Sequence, residues 1–176
     1  MIATMKKLLT IFFAVLLISC KSCITEPTPK TELEKLPPAT MEGKDTFGCL
    51  VNGKAWVTRV STDVGAFYQS RVFQISAGID EKERDQGITI AVLSGIMQGN
   101  SYDLSNDPEF EALYGGTRPV GICFYDDENT LIGQLTITKL DPINTIVSGL
   151  FEFTTFVSGC DTIRVTNGRF DVHYAN

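Results

Sequence analysis

The sequence predicts an all-β protein: a mostly antiparallel β-sandwich of eight or nine strands, with a closed or half-open β-barrel as the alternative. Three observations carry this. From Thr46 onward, short runs rich in Val, Ile, Phe, Tyr and Thr alternate with clusters of Gly, Asn, Asp and Pro. That region has no long apolar stripe at helical spacing, so nothing supplies the crossover helices that a parallel sheet needs. The closing run "RFDVHY" places Phe170, Val172 and Tyr174 on one face and Arg169, Asp171 and His173 on the other, as a strand with one buried side does.

Taken in order, "TFGCLV" and "KAWVTRV" flank Asn52-Gly53, a pair suited to a tight hairpin turn. "RVFQISAGI" runs into the charged loop "DEKERDQ", and "GITIAVLSG" runs out of it. Pro108 to Tyr114 is the one stretch that reads as helical, for one or two turns at most. "PVGICFY", the connection "DDEN" and "TLIGQLTITKL" make the next pair of strands. In the long run "NTIVSGLFEFTTF", Phe151 and Phe153 alternate with Glu152 and Thr154 and belong to the same core as the last strand. "DTIRVT" and "RFDVHY" close the chain around Asn167-Gly168, a second hairpin signal.

The first twenty residues obey different rules. Lys6 and Lys7 precede an apolar run from Leu8 to Ile18, interrupted only by Thr10. As a helix that run would span roughly 16 Å, too short for a hydrocarbon core of about 30 Å, so it reads as a secretory signal. Leu17-Ile18-Ser19-Cys20 resembles the lipobox of bacterial lipoproteins, which implies cleavage before Cys20 and lipid on its thiol. Burial is worth about 0.8 kcal/mol per CH₂, so two or three acyl chains hold firmly. The expected organisation is a signal segment over residues 1–19, lipidated Cys20 with a flexible tether through residue 45, and one all-β domain over 46–176. The tether reading rests on Pro27, Pro29, Pro37 and Pro38 and on the absence of apolar periodicity, a composition that buries too little surface to fold.

Charge and cysteine narrow the function. The chain carries a formal charge of −6, and loss of Lys6 and Lys7 with the signal makes it −8. With no cluster of Lys and Arg, nucleic acid is excluded as a partner class. Once Cys20 is lipidated, Cys23 lies beside the membrane, and Cys49, Cys123 and Cys160 lie in the domain. An exported compartment permits disulfides. The expected pair is Cys49 with Cys160, tying the first strand to the last elements, with Cys123 left unpaired inside the strand "GICFY".

The sequence contains no catalytic constellation. There is no G-x-S-x-G, and the single histidine, His173, lies on the polar face of the last strand. Acidic residues cluster in loops, where charge is ordinarily solvated. "DDEN" lacks the spacing of a calcium loop, and one histidine cannot complete a zinc site. "YGGT" has no lysine and no following helix, so it is no phosphate cradle. No metal and no cofactor is expected. Trp56, the only tryptophan, sits between Ala55 and Val57 and reads as core or core edge. Tyr68, Tyr102, Tyr114 and Tyr125 fall at strand ends or loops, and their convergence with Trp56 on one surface would make a binding platform.

"TFGCLVNGKAW", "GQLTITKLD" followed by "VSGLFEF", and "VTNGRFDVHY", in that order, resemble a family of small Bacteroidetes lipoproteins with a C-terminal domain of unknown function. The resemblance spans most of residues 46–176. It implies an outer-membrane lipid anchor, on the periplasmic face or the cell surface, and supplies no catalytic residues. After Cys20 the chain has Lys21, Ser22 and Cys23, with Glu26 the first acid, where such proteins can carry an acidic run resembling a surface-export signal. The expectation is a non-enzymatic, membrane-anchored binding or scaffolding module whose ligand is a glycan, a small lipophile or an envelope protein. The alternatives are a hydrolase built on carboxylates or a Cys–His pair, and a purely structural envelope protein.

Overall fold

The computed structural model describes residues 31–58, 60–81, 84–105, 108–118 and 121–176. Residues 1–30, with the expected signal segment, Cys20, Cys23 and the expected tether through Lys30, lie outside the described residues. The strands are β1 (Thr46–Val51), β2 (Lys54–Val57), β3 (Val64–Gln69), β4 (Val72–Glu81), β5 (Arg84–Val92), β6 (Ser101–Asp103), β7 (Phe110–Arg118), β8 (Gly121–Tyr125), β9 (Thr130–Asp141), β10 (Ile146–Thr155) and β11 (Ile163–His173). They form two antiparallel sheets, ordered β2-β1-β11-β10-β9-β6 and β3-β4-β5-β7-β8. The sheets do not close into a barrel. A single parallel bridge between Phe67 and Ala175 links them along one side.

The expected all-β sandwich is therefore present, with eleven strands among the described residues rather than eight or nine. Its core forms where the inward faces meet. Phe47, Phe151, Phe153 and Phe170 of the first sheet pack toward Phe73, Ile75, Ile88 and Ile90 of the second. Burying each such side chain is worth about 1.5–3 kcal/mol. The alternations of Phe151 with Phe153, and of Phe170, Val172 and Tyr174, run inward as expected. Asn52 and Gly53 turn β1 into β2 with φ of 49° and 77°, both left-handed, which suits the twist of a two-residue hairpin.

Four expectations are corrected. Pro108 to Tyr114 is not helical: Phe110, Ala112 and Tyr114 alternate inward along β7, paired with β5. Glu111, Ala112 and Leu113 are good helix formers, but sheet pairing outweighs a propensity of a few tenths of a kcal/mol per residue. Asn167-Gly168 is not a turn. Strand β11 runs through it, and Asn167, at φ 53°, marks a bulge where the register against β10 shifts between Phe151 and Phe153. The tight turn between β3 and β4 instead uses Ser70 and Arg71, both at positive φ, with no Asn or Gly to announce it.

The third correction concerns the tether. Residues 31–45 lie along the outer face of the first sheet. Pro37 packs over Gly48, where an added Cβ would come within 2.6 Å of its Cδ. Leu36 is buried. The Arg169 guanidinium donates to the Pro37 carbonyl at 3.4 Å. At one end of this path, Thr40 to Lys44 wrap the carboxylate of Asp171. At the other, Glu32 accepts from the Ala55 amide at 2.8 Å. The packed domain thus begins near Thr31 rather than Thr46.

The fourth is the disulfide. Cys123 is bonded to Cys160, with Cα atoms 6.2 Å apart, and Cys49 is a free, buried thiol. Cys49 points into the core from β1. The turn that carries Cys160 lies over β8, the edge strand of the other sheet. Burial pushes the Cys49 thiol well above its usual range, so it acts as a small apolar side chain.

Candidate functional site

The two ends of the sandwich are built differently. One end is closed by the latch on Asp171. This carboxylate, 1 % exposed, belongs to the face of β11 that the alternation marks as solvent-facing. It accepts from the Thr40 hydroxyl at 2.6 Å and the Ser148 hydroxyl at 2.7 Å. It also accepts from the backbone amides of Glu42, Gly43 and Lys44 at 3.0, 2.8 and 3.3 Å. Burial pulls its pKa upward, but the hydrogen bonds from Thr40, Glu42, Gly43 and Ser148 outweigh burial and bring it to about 2. Beside it, His173 Nδ1 lies 3.1 Å from an Asp45 carboxylate oxygen.

The other end holds a cavity of about 250 Å³ between the sheets. Its walls come from the end of β1 (Val51), the hairpin turn (Asn52), β2 (Lys54, Trp56), β5 (Gln86), β7 (Tyr114), β8 (Cys123, Tyr125) and the entry to β11 (Asp161, Ile163). Here the structure gathers three of the five aromatic candidates. The Tyr114 and Tyr125 rings meet edge to face with centroids 5.8 Å apart. The Trp56 indole, 1 % exposed, donates from Nε1 to Gln86 Oε1 at 3.0 Å, bridging the two sheets. The Tyr125 hydroxyl donates to the Asp161 carbonyl at 2.6 Å. These bonds fix the rings, so the cavity is walled by held aromatic surfaces. Asn52 is held too, its amide oxygen accepting from the Arg164 amide at 2.8 Å. Lys54 is exposed at the mouth.

Tyr68 and Tyr102 are not part of this site. Tyr68 packs against Tyr174 at 6.1 Å, and Tyr102 against Phe110 at 5.7 Å, while its hydroxyl accepts from the Met97 amide at 2.7 Å. What sequence reading missed is the rest of the wall: Gln86, Asn52, Asp161 and the Cys123–Cys160 bond. The one local signal among them was Asn52-Gly53, which announces a turn and not a wall.

Trp56 and Tyr125 are too enclosed to form an exposed platform for flat stacking. They form a pocket of ring edges and faces with amide, phenol and ammonium groups between them. That combination suits a small ligand that has both apolar faces and hydroxyl groups.

A larger, open groove of about 480 Å³ crosses the outer face of the first sheet and includes Asp103 and Glu152. Two carboxylates on one concave surface would suit glycoside hydrolysis. Asp103, however, accepts from the Ser105 hydroxyl at 2.5 Å and its amide at 2.9 Å, and these bonds hold its pKa below the usual range. Asp103 so held suits the charged member of such a pair rather than its proton donor. A Cys–His pair is not formed either: Cys123 and Cys160 are bonded to each other at the cavity end, and His173 lies at the far end of β11. Among the described residues no group of His, Cys, Asp and Glu gathers to hold a metal, and no helix is long and apolar enough to cross a membrane.

The fold and this geometry define a class: a two-sheet antiparallel β-sandwich with a latched N-terminal segment on one face and an aromatic-walled cavity at one end. Comparisons with protein-family models, with curated proteins and with solved structures find no match to the chain.

Proposed function

We propose that this protein is a lipid-anchored lipoprotein of the bacterial outer membrane, and that its sandwich is a non-enzymatic module binding a sugar ring. The anchor rests on Leu17-Ile18-Ser19-Cys20 behind a short apolar run, and the resemblance to small Bacteroidetes lipoproteins agrees with it. The observation that carries the binding reading is the convergence of Trp56, Tyr114 and Tyr125 on one cavity of about 250 Å³. A pyranose ring offers C–H faces to aromatic walls and hydroxyls to Gln86, Asn52 and Lys54. An acyl chain would use the first and make nothing of the second. The cavity's small volume suits one sugar unit, free or at the end of a longer glycan.

Trp56 is the sole tryptophan, so its emission reports on the cavity without labelling. A panel of methyl glycosides and N-acetylated sugars, titrated against the protein, is expected to change that emission saturably for at least one sugar. A flat response to every sugar, with saturation by lauric acid instead, overturns the sugar reading in favour of a lipophile. The anchor is tested separately: a fatty-acid analogue is expected to label the wild type and not Cys20→Ala.

A further inference from the structure

We propose that the cavity faces the membrane that holds the protein, and that it takes the sugar head group of a lipid lying in that same membrane. This rests on two readings, Cys20 as the lipid-bearing residue and the cavity as a sugar site, and adds where the sugar comes from.

The path of residues 31–45 carries the argument. From Thr46 it runs backward over the outer face of β1, antiparallel to that strand. Lys44, Gly43 and Glu42 sit at Asp171, which pairs with Thr46. Pro37 sits over Gly48, midway. Glu32 reaches the amide of Ala55. Ala55 is the immediate neighbour of Lys54, which stands at the mouth of the cavity. The chain therefore arrives from its N-terminal side at the cavity end of the sandwich, and the latch end is the far one.

Lengths favour the cavity end as the one nearer the bilayer. The eleven residues from Cys20 to Lys30 span at most about 40 Å when fully extended. Strand β11 runs the length of the sandwich from Ile163, in the cavity wall, to His173 at the latch. At about 3.4 Å per residue that is roughly 34 Å. To turn the latch end toward the bilayer, the tether would have to double back along the whole domain and use up nearly all of its reach. With the cavity end toward the bilayer it need only bridge the gap. Glu32 on the Ala55 amide and Pro37 over Gly48 fix the exit point on the fold.

A head group rooted in the same bilayer is then the ligand source that the geometry favours. Tethering site and ligand to one surface raises their effective concentration, so a small cavity with few contacts suffices for occupancy. The lipidated chain, at a formal charge of −8 without Lys6 and Lys7, disfavours an anionic head group and leaves an uncharged sugar.

The test uses the full lipidated chain and the emission of Trp56. In one arm a soluble methyl glycoside is added to the protein in detergent. In a second, a monoglycosyl diacylglycerol with the same sugar is placed in the phosphatidylethanolamine vesicles that carry the protein. In a third, that glycolipid is placed in separate vesicles mixed with the first. The inference expects a response in the second arm at an apparent concentration about tenfold or more below that of the other two. A response to the soluble glycoside with none to the glycolipid in the same bilayer overturns the membrane-facing cavity and leaves the sugar site standing. Equal responses in the second and third arms overturn the shared-membrane source. Silence in all three overturns the sugar site itself, and this inference with it.

Discussion

The two ends of the sandwich both bury polar groups, and they do so to opposite effect. At the latch end the carboxylate of Asp171 receives five hydrogen bonds, from four residues of the N-terminal segment and from Ser148, which saturate its two oxygens. At the cavity end Gln86, Asn52 and Tyr125 are each held by one or two bonds and line a volume of about 250 Å³. At both ends the partners come from the chain itself. The difference is that the latch encloses its carboxylate, whereas the cavity-end groups stand around a void.

The contrast breaks first at the disulfide, which braces the cavity end. Closing a loop of sequence separation 37 is worth about 4 kcal/mol in the chain-entropy account. Replacing Cys123 and Cys160 by serine should lower the denaturant-derived stability by about that amount, and reduction of the wild type should do the same. A loss below about 1 kcal/mol would mean that the cavity end is held by its hydrogen bonds and packing alone.

The latch is next. Asp171→Asn replaces a charged acceptor by an amide facing three backbone N–H donors and should cost about 2–3 kcal/mol. Hydrogen exchange at Glu42, Gly43 and Lys44 should rise with it, while exchange near Trp56 stays unchanged. The same carboxylate sets an acid limit. Its folded pKa, lowered from 3.8 to about 2, contributes stability that is present above pH ~4 and lost as pH falls through about 2. The wild type should therefore lose about 2 kcal/mol across that window, and Asp171→Asn should lose correspondingly less.

Between the two ends, Gly48→Ala tests the path of the N-terminal segment. Its Cβ would stand 2.6 Å from Pro37 Cδ, so the segment must shift, at a cost of about 1–3 kcal/mol. Stability within error of wild type would mean that residues 31–45 are held by the latch and Glu32 and not by Pro37. Lys54→Ala has the smallest expected effect on stability, within about 0.5 kcal/mol, because the side chain is exposed. It should nevertheless weaken the binding of a responsive sugar about tenfold, the value of one charge-assisted hydrogen bond. Unchanged affinity would remove Lys54 from the site and sharpen the role of Gln86 and Asn52.

Much of the fold was legible because it is local. Alternation at Phe170, Val172 and Tyr174, and at Phe151 and Phe153, comes from the two-residue period of a strand, and the Asn52-Gly53 turn from backbone sterics. Where local signals misled, a neighbour in space had overruled them. Glu111, Ala112 and Leu113 favour a helix, yet their place beside β5 makes them strand. Asn167-Gly168 favours a turn, yet β1 and β10 on either side stretch it into a bulge.

By itself, then, the sequence determined the all-β class, the apolar face of each long strand and the first hairpin, because these depend on the period and torsions of a few adjacent residues. The order of strands decided the rest. That Cys160 meets Cys123 and not Cys49, that Asp171 is covered, and that Trp56, Tyr114 and Tyr125 share one cavity while Tyr68 and Tyr102 do not, all depend on which strands lie side by side and in which sheet. Sheet order is set by the summed packing of two whole faces against each other. No short stretch of the chain contains that sum, so only the tertiary structure expresses it.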